Sequence, residues 1–209
     1  IVYTVLSLLL TLLSNNWRLE KEFEITDTDI FKNNEYFDVV MESAKGDAPD
    51  ELYFRITAYN RSDKAASLHI LPHCTLRNIW SWGADEYQEV KKPHVKQIDE
   101  YTVEVETQKF GKRYLVFAPS PGFKESDPDV EPQLIFTENE TNTKKLYNQD
   151  NKSKYVKDAF HEYVVDGKQE VVNPEKQGTK AAAWFTFKDI PAGEYVTIRY
   201  KFTDRKSTR

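Results

Sequence analysis

Cysteine occurs once in the 209 residues, at Cys74, so no intrachain disulfide can form. No Cys/His spacing of the zinc-binding kind occurs, and no Gly-rich phosphate loop, Ser/His/Asp order or other metal motif stands out. Basic charge is also short: 29 Lys and Arg against 34 Asp and Glu leave a net charge of -5, with the lysines scattered among acids. That excludes the broad positive field that holds phosphates, and with it a nucleic-acid partner. No apolar run is long enough to cross a bilayer, because Ile1 to Leu13 offers thirteen residues where a helix needs about 20. There is no internal repeat and no low-complexity tract.

Aromatic residues, by contrast, are plentiful: 12 Tyr, 12 Phe and 4 Trp. With 39% hydrophobic and 30% charged residues, they indicate a folded body with a wet surface. The length fits one domain of the β-sandwich size. Short alternating runs rich in Val, Ile, Tyr, Phe and Thr, punctuated by Gly, Pro, Asn and Asp, predict strands over 36–43, 51–60, 66–73, 101–108, 113–118, 133–137, 181–187 and 194–203. The fold class is therefore all-β, an antiparallel sandwich. Leu52, Phe54, Ile56 and Ala58 followed by Ala66, Leu68 and Ile70, across the polar turn 60–63, predict a hairpin. The last strand alternates Val196, Ile198, Tyr200 and Phe202 with polar partners, one face buried and one wet.

One stretch breaks the period of two. Tyr155, Val156, Ala159, Phe160, Tyr163 and Val164 recur at three- and four-residue spacing, predicting a short amphipathic helix before the turn Asp166-Gly167. Two long connections, 119–132 and 139–154, are where a β scaffold makes its contacts with partners. The apolar segment 1–18 is set aside as a leader or misassigned segment, 19–204 forms the domain, and the polar 205–209 is the start of a linker. Three N-glycosylation sequons, at Asn60, Asn139 and Asn151, point toward secretion, while the leader lacks basic residues before it and a clear cleavage site after it. Cytoplasmic and secretory locations both stay open.

Three constellations carry candidate chemistry. In Arg77-Asn78-Ile79-Trp80-Ser81-Trp82-Gly83 the two indoles lie two residues apart, on one side of an extended chain. They can stack on a sugar face or another domain, with Arg77 and Asn78 giving directional hydrogen bonds; equally, one indole can be core and the other a cap. In Phe136-Thr137-Glu138-Asn139-Glu140-Thr141-Asn142, carboxylates two residues apart suit acid and base roles or a calcium site with the Asn and Thr oxygens, but such pairs more commonly mark a solvated or domain-facing loop. The third runs from Val172-Asn173-Pro174 to Gly178-Thr179-Lys180-Ala181-Ala182-Ala183-Trp184, whose three alanines mark close approach of another layer. Lys180 is expected to be solvated rather than paired across an interface, and His161 on the helix to be hydrogen-bonded rather than a base. Cys74 reads as a small buried hydrophobe.

Taken together, and joined by Leu71-Pro72, by Val156-Lys157-Asp158 through His161-Glu162-Tyr163-Val164-Val165, and by the opening segments Glu22-Phe23-Glu24-Ile25 and Tyr36-Phe37-Asp38-Val39, these motifs resemble the amino-terminal domain of glycoside hydrolase family 63 proteins, related to mannosyl-oligosaccharide glucosidase. The resemblance runs in order from Leu19 to Thr203. It departs from the family at His73-Cys74-Thr75-Leu76, where a more apolar stretch is expected, and over the first sixteen residues. It implies a supersandwich-like domain with one or two short helices, preceding an (α/α)6 toroid that holds the catalytic acid and base of an inverting α-glucosidase. No catalytic residue, metal ligand or cofactor is carried onto this chain. Arg77, Asn78, Trp80, Trp82, Glu138, Asn139, Glu140, Asn142, His161 and Lys180 are implied to face the absent toroid or rim its cleft. The expected partners are that toroid and an oligosaccharide; the alternative is a free-standing carbohydrate-binding module.

Overall fold

The computed structural model describes residues 24–81, 91–122 and 128–204. The apolar segment 1–18, Trp82 and the polar tail 205–209 lie outside the described residues. Among the described residues every strand pair is antiparallel, and the strands form two sheets. The larger has seven strands. In spatial order these are β1 (Phe37–Lys45), β2 (Leu52–Asn60), β11 (Tyr195–Thr203), β7 (Gly111–Ala118), β6 (Thr102–Thr107), β5 (His94–Gln97) and β9 (Gln177–Gly178). The smaller is built around β10 (Lys180–Ile190), flanked by β3 (Ala66–Ile70), β4 (His73–Thr75) and β8 (Gln133–Thr137).

β3 and β4 are one strand with a gap. Phe185 faces Ile70 and Ala182 faces His73, the same register on both sides of Leu71-Pro72. Pro72 has no N–H to give to the ladder, so the pairing lapses there, although its carbonyl still accepts from Ala183 N at 3.2 Å. β8 pairs Lys180–Trp184 of β10, and since β4 occupies one edge of that stretch, β8 must occupy the other.

The two sheets pack face to face through the alternate residues of each strand. Ile56, Ala58, Val103, Val105, Leu115, Phe117, Val196 and Ile198 of the larger sheet meet Leu134, Phe136, Ala181, Ala183, Phe185 and Phe187 of the smaller. On the far face of the smaller sheet lies a second apolar cluster, where Ile135 and Ala182 are covered by Phe160 and Tyr163 of helix α2 (Ala159–Asp166) and by Val172. The three alanines are thus explained from both sides: Ala181 and Ala183 lie in the main core, and Ala182 lies under α2. A larger side chain at any of them would push a layer away. The predicted helix starts later than its apolar pattern, since Tyr155 and Val156 precede it, and it ends at Gly167 in the left-handed conformation, φ 69. The connection 139–154 contains a short helix of its own, α1 (Thr143–Tyr147), capped by the Asn142 side chain on Lys145 N.

The predicted hairpin of β2 with β3 does not form, because β2 pairs β1 and β11 in one sheet while β3 pairs β10 in the other. The polar turn is instead a corner between sheets, tied by the buried side chain of Asn60. Its Nδ2 donates to the carbonyls of Lys64, Ile190 and Pro191 at 2.8–3.2 Å, and its Oδ1 accepts from Ser62 N and Oγ. Alternation shows which face of a strand is buried but not which sheet the strand joins.

Cys74 of β4 packs against the main core, and burial pushes its thiol up to about 11. The thiolate, which is the reactive form, is therefore scarce at neutral pH. In the folded chain at pH 8, a disulfide exchange reagent should label Cys74 at least about tenfold more slowly than in denaturant. Equal rates would mean the thiol is open.

Candidate functional site

Three chain segments converge at one end of the smaller sheet, where β4 and β8 stop and β10 begins. Residues 76–81 leave β4, residues 138–142 leave β8, and Thr179-Lys180 enters β10. The connection is backbone first: Thr179 N donates to Thr137 O at 3.1 Å, and Gly178 packs so closely on Thr137 that a Cβ there would stand 2.3 Å from its carbonyl oxygen. Glycine is required by space here.

Side chains finish the junction. Asn139 spans it, donating from Nδ2 to Leu76 O at 2.7 Å and from its backbone N to Thr179 Oγ1 at 2.8 Å. Asn78 donates from Nδ2 to Asn139 O at 2.8 Å and accepts on Oδ1 from Ser81 N at 3.2 Å, closing the turn that carries Trp80. The Trp80 indole, half-buried, donates from Nε1 to Glu140 Oε1 at 2.8 Å. Glu138 accepts from Thr179 Oγ1 at 2.7 Å and pairs with Lys92 Nζ at 3.1 Å. The next segment docks on the same strand end through Glu138 N to Tyr155 O at 3.0 Å and Lys157 N to Glu140 O at 2.9 Å.

The structure therefore brings together Asn78, Trp80, Glu138, Asn139 and Glu140 from two separate sequence motifs, and adds Thr179 and Lys92. Thr179 sat inside a quoted motif and is fully buried, but nothing in its spacing announces a three-way hydrogen bond. Lys92 comes from a chain region remote in sequence. Asn142 caps α1 and donates to Asp158 Oδ2 at 3.2 Å, one step outside the cluster. Arg77 is exposed at the junction's edge. His161 is half-buried in the first turn of α2, its backbone N–H on Asp158 O.

Lys180 corrects its expectation. It is half-buried rather than solvated: Nζ donates to Lys157 O at 2.7 Å and lies 4.7 Å from the centre of the Phe160 ring. Burial is the main reason its ammonium is held below the usual lysine range, partly offset by Asp158. The neighbouring His73 stacks edge-on against Phe160 at 5.4 Å, and its imidazole is likewise held below the ordinary value, first by burial and then by the Lys180 charge. Two buried oxygens in this region, Thr137 Oγ1 and Asp158 Oδ1, have no hydrogen-bond partner among the described residues. Such orphans are uncommon in a finished fold.

Each carboxylate thus has one oxygen in a structural bond, and among the described residues no group of three or more His, Cys, Asp or Glu is placed to hold a metal ion. The sequons have a structural meaning too. Asn60 is buried with all its amide hydrogens engaged, Asn139 spends its amide on Leu76, and Asn151 takes Thr143 Oγ1 and Lys144 N on its own oxygen. Asparagine at these positions is accounted for by the fold. Among the described residues no helix is long and apolar enough to cross a membrane.

The fold and the junction define an all-β sandwich with a hydrogen-bonded polar cluster around Trp80 at one end of its smaller sheet. Against known proteins, the chain is 44% identical over 206 residues to the uncharacterized protein YMR196W of Saccharomyces cerevisiae, a match that takes in 88% of this chain and 19% of the yeast protein. The chain thus spans about a fifth of the length of the curated relative it matches. No family model matches it.

Proposed function

We propose that this chain is the non-catalytic amino-terminal domain of a glycoside hydrolase family 63-like α-glucosidase, whose polar end packs against an (α/α)6 catalytic toroid and rims its substrate cleft. The observation that carries the reading is the commitment of Glu138 and Glu140. One oxygen of each is held in a structural bond, Glu138 Oε2 by Thr179 and Lys92 and Glu140 Oε1 by the Trp80 indole, which ties both side chains into the end of the sandwich. Such a network stiffens a surface rather than performing chemistry on it. The motif resemblance supplies the identity of that body, and the fivefold greater length of the yeast relative leaves room for it.

The test uses the purified chain with aryl α-glucosides and a series of gluco-oligosaccharides. No turnover and no saturable binding are expected, and Glu138→Gln should change neither result. Hydrolysis abolished by Glu138→Gln would make the chain an enzyme in itself. Saturable oligosaccharide binding, lost in Trp80→Ala, would instead make it a free-standing carbohydrate-binding module.

A further inference from the structure

At the opposite margin of the molecule two deficits coincide on β1. The first is an uncovered stretch of core face. Residues directly opposite one another in an antiparallel ladder share a face, and Val39 stands opposite Ala58, Met41 opposite Ile56, and Leu52 opposite Phe202. Ile56 and Ala58 are buried in the main core, yet Val39 and Met41, on the same face, are 59% and 61% exposed. The smaller sheet is too narrow to reach them. Next to them the row Ser43, Phe54, Tyr200 and Phe117 lines a trough of about 570 Å³, with the rings of Phe54 and Tyr200 stacked 4.8 Å apart. The second deficit is the edge. Among the described residues β1 pairs only with β2, so the outward-pointing backbone donors and acceptors of alternate residues in Phe37–Lys45 meet no other strand.

An open edge and an apolar face at one place call for a strand that pairs with β1 and covers Val39 and Met41. We infer that β1 is an internal strand of a wider sheet, completed by polypeptide from the remaining four-fifths of a protein of the yeast relative's length. Two observations choose that occupant. The patch is continuous with the main core, as an intramolecular contact would be. The fold is shared, at 44% identity, with a chain of which it makes up 19%. A second copy is the competing occupant, since Asp38 and Glu42 are paired with Arg61 and Arg55 and do not forbid it, and the concentration dependence below separates the two. The inference does not rest on the glycosidase reading, since any remainder of that length would serve.

The experiment compares the isolated chain with a graft in which this chain replaces the matching fifth of the yeast protein. Amide exchange in Phe37–Lys45 should be at least about tenfold slower in the graft. The pair Val39→Lys and Met41→Lys should abolish that protection, leaving Gln133–Thr137 protected in both proteins. Should the graft not fold, the yeast protein with its aligned residues substituted is read in the same way. Protection already complete in the isolated chain, protection that appears only as its own concentration rises, or protection in the full-length protein that the lysines leave intact would each overturn the inference. Loss or retention of α-glucosidase activity does not enter, so this inference and the proposed function can fail separately.

Discussion

Gly178→Ala should lower stability by roughly 3 kcal/mol and the melting temperature by about 6–12 °C. The added methyl would stand 2.3 Å from Thr137 O and 2.9 Å from Thr137 C, both backbone atoms in a sheet that cannot give way cheaply. Relief must come from separating β9 from the end of β8, which also pulls Thr179 from Thr137 and loosens Glu138 and Asn139. The φ of Gly178 is not in the left-handed region, so the cost is of space and not of backbone conformation. A thermal melt checks the size of the effect. Quenching of Trp80 fluorescence by iodide, increased in the variant, checks that the damage reaches the polar cluster. A variant melting within about 2 °C of the parent would show that the close approach is not rigid.

Asn60→Leu should cost more, about 4–5 kcal/mol. The isosteric apolar side chain fits the corner but leaves the Ile190 carbonyl without its donor and Ser62 N without its acceptor, whereas the Lys64 and Pro191 carbonyls keep Ser62 Oγ and Glu194 N. Each buried group left unpaired costs about 1–3 kcal/mol. Chemical denaturation measures the loss. Ser62→Ala, which destroys the same sequon but leaves the Asn60 amide bonded to its three carbonyls, should cost less than half as much. Equal losses would move the effect from the hydrogen bonds of the corner to the sequon itself.

The corner also shows where sequence reading ends. Eight strands were legible because alternation, β-branched residues and turn residues act locally, and each of those segments contains strand in the structure. β4, β5 and β9 were not singled out as separate strands. They are two to four residues long, too short to show a period, and are strands only because a neighbour supplies the ladder. The predicted hairpin failed for a related reason: residues 60–63 have the composition of a tight turn, and only the distant carbonyls of Ile190 and Pro191 turn them into a crossing. In the same way β10 carries a register shift between Phe187 and Ile190, with Asp189 in the left-handed region at φ 52 and its N–H on Ser67 Oγ. A bulge bends the strand end toward β11, and nothing in Lys188-Asp189 alone requires one.

The polar cluster divides along the same line. Composition and motif singled out Asn78, Trp80, Glu138, Asn139 and Glu140, because an aromatic and polar stretch on a strand end is unusual in itself. Neither Lys92 on Glu138 nor Thr179 between Glu138 and Asn139 could be read from spacing, and Lys180 was assigned to solvent although it lies over Phe160. The amino-acid sequence by itself determined the all-β class and the alternating faces, since those follow from chemistry repeated along a short stretch of chain. Tertiary structure alone decided which sheet each strand entered, which donor met each carboxylate and where the core face was left open, because those depend on groups far apart in the chain arriving within a few ångströms of one another.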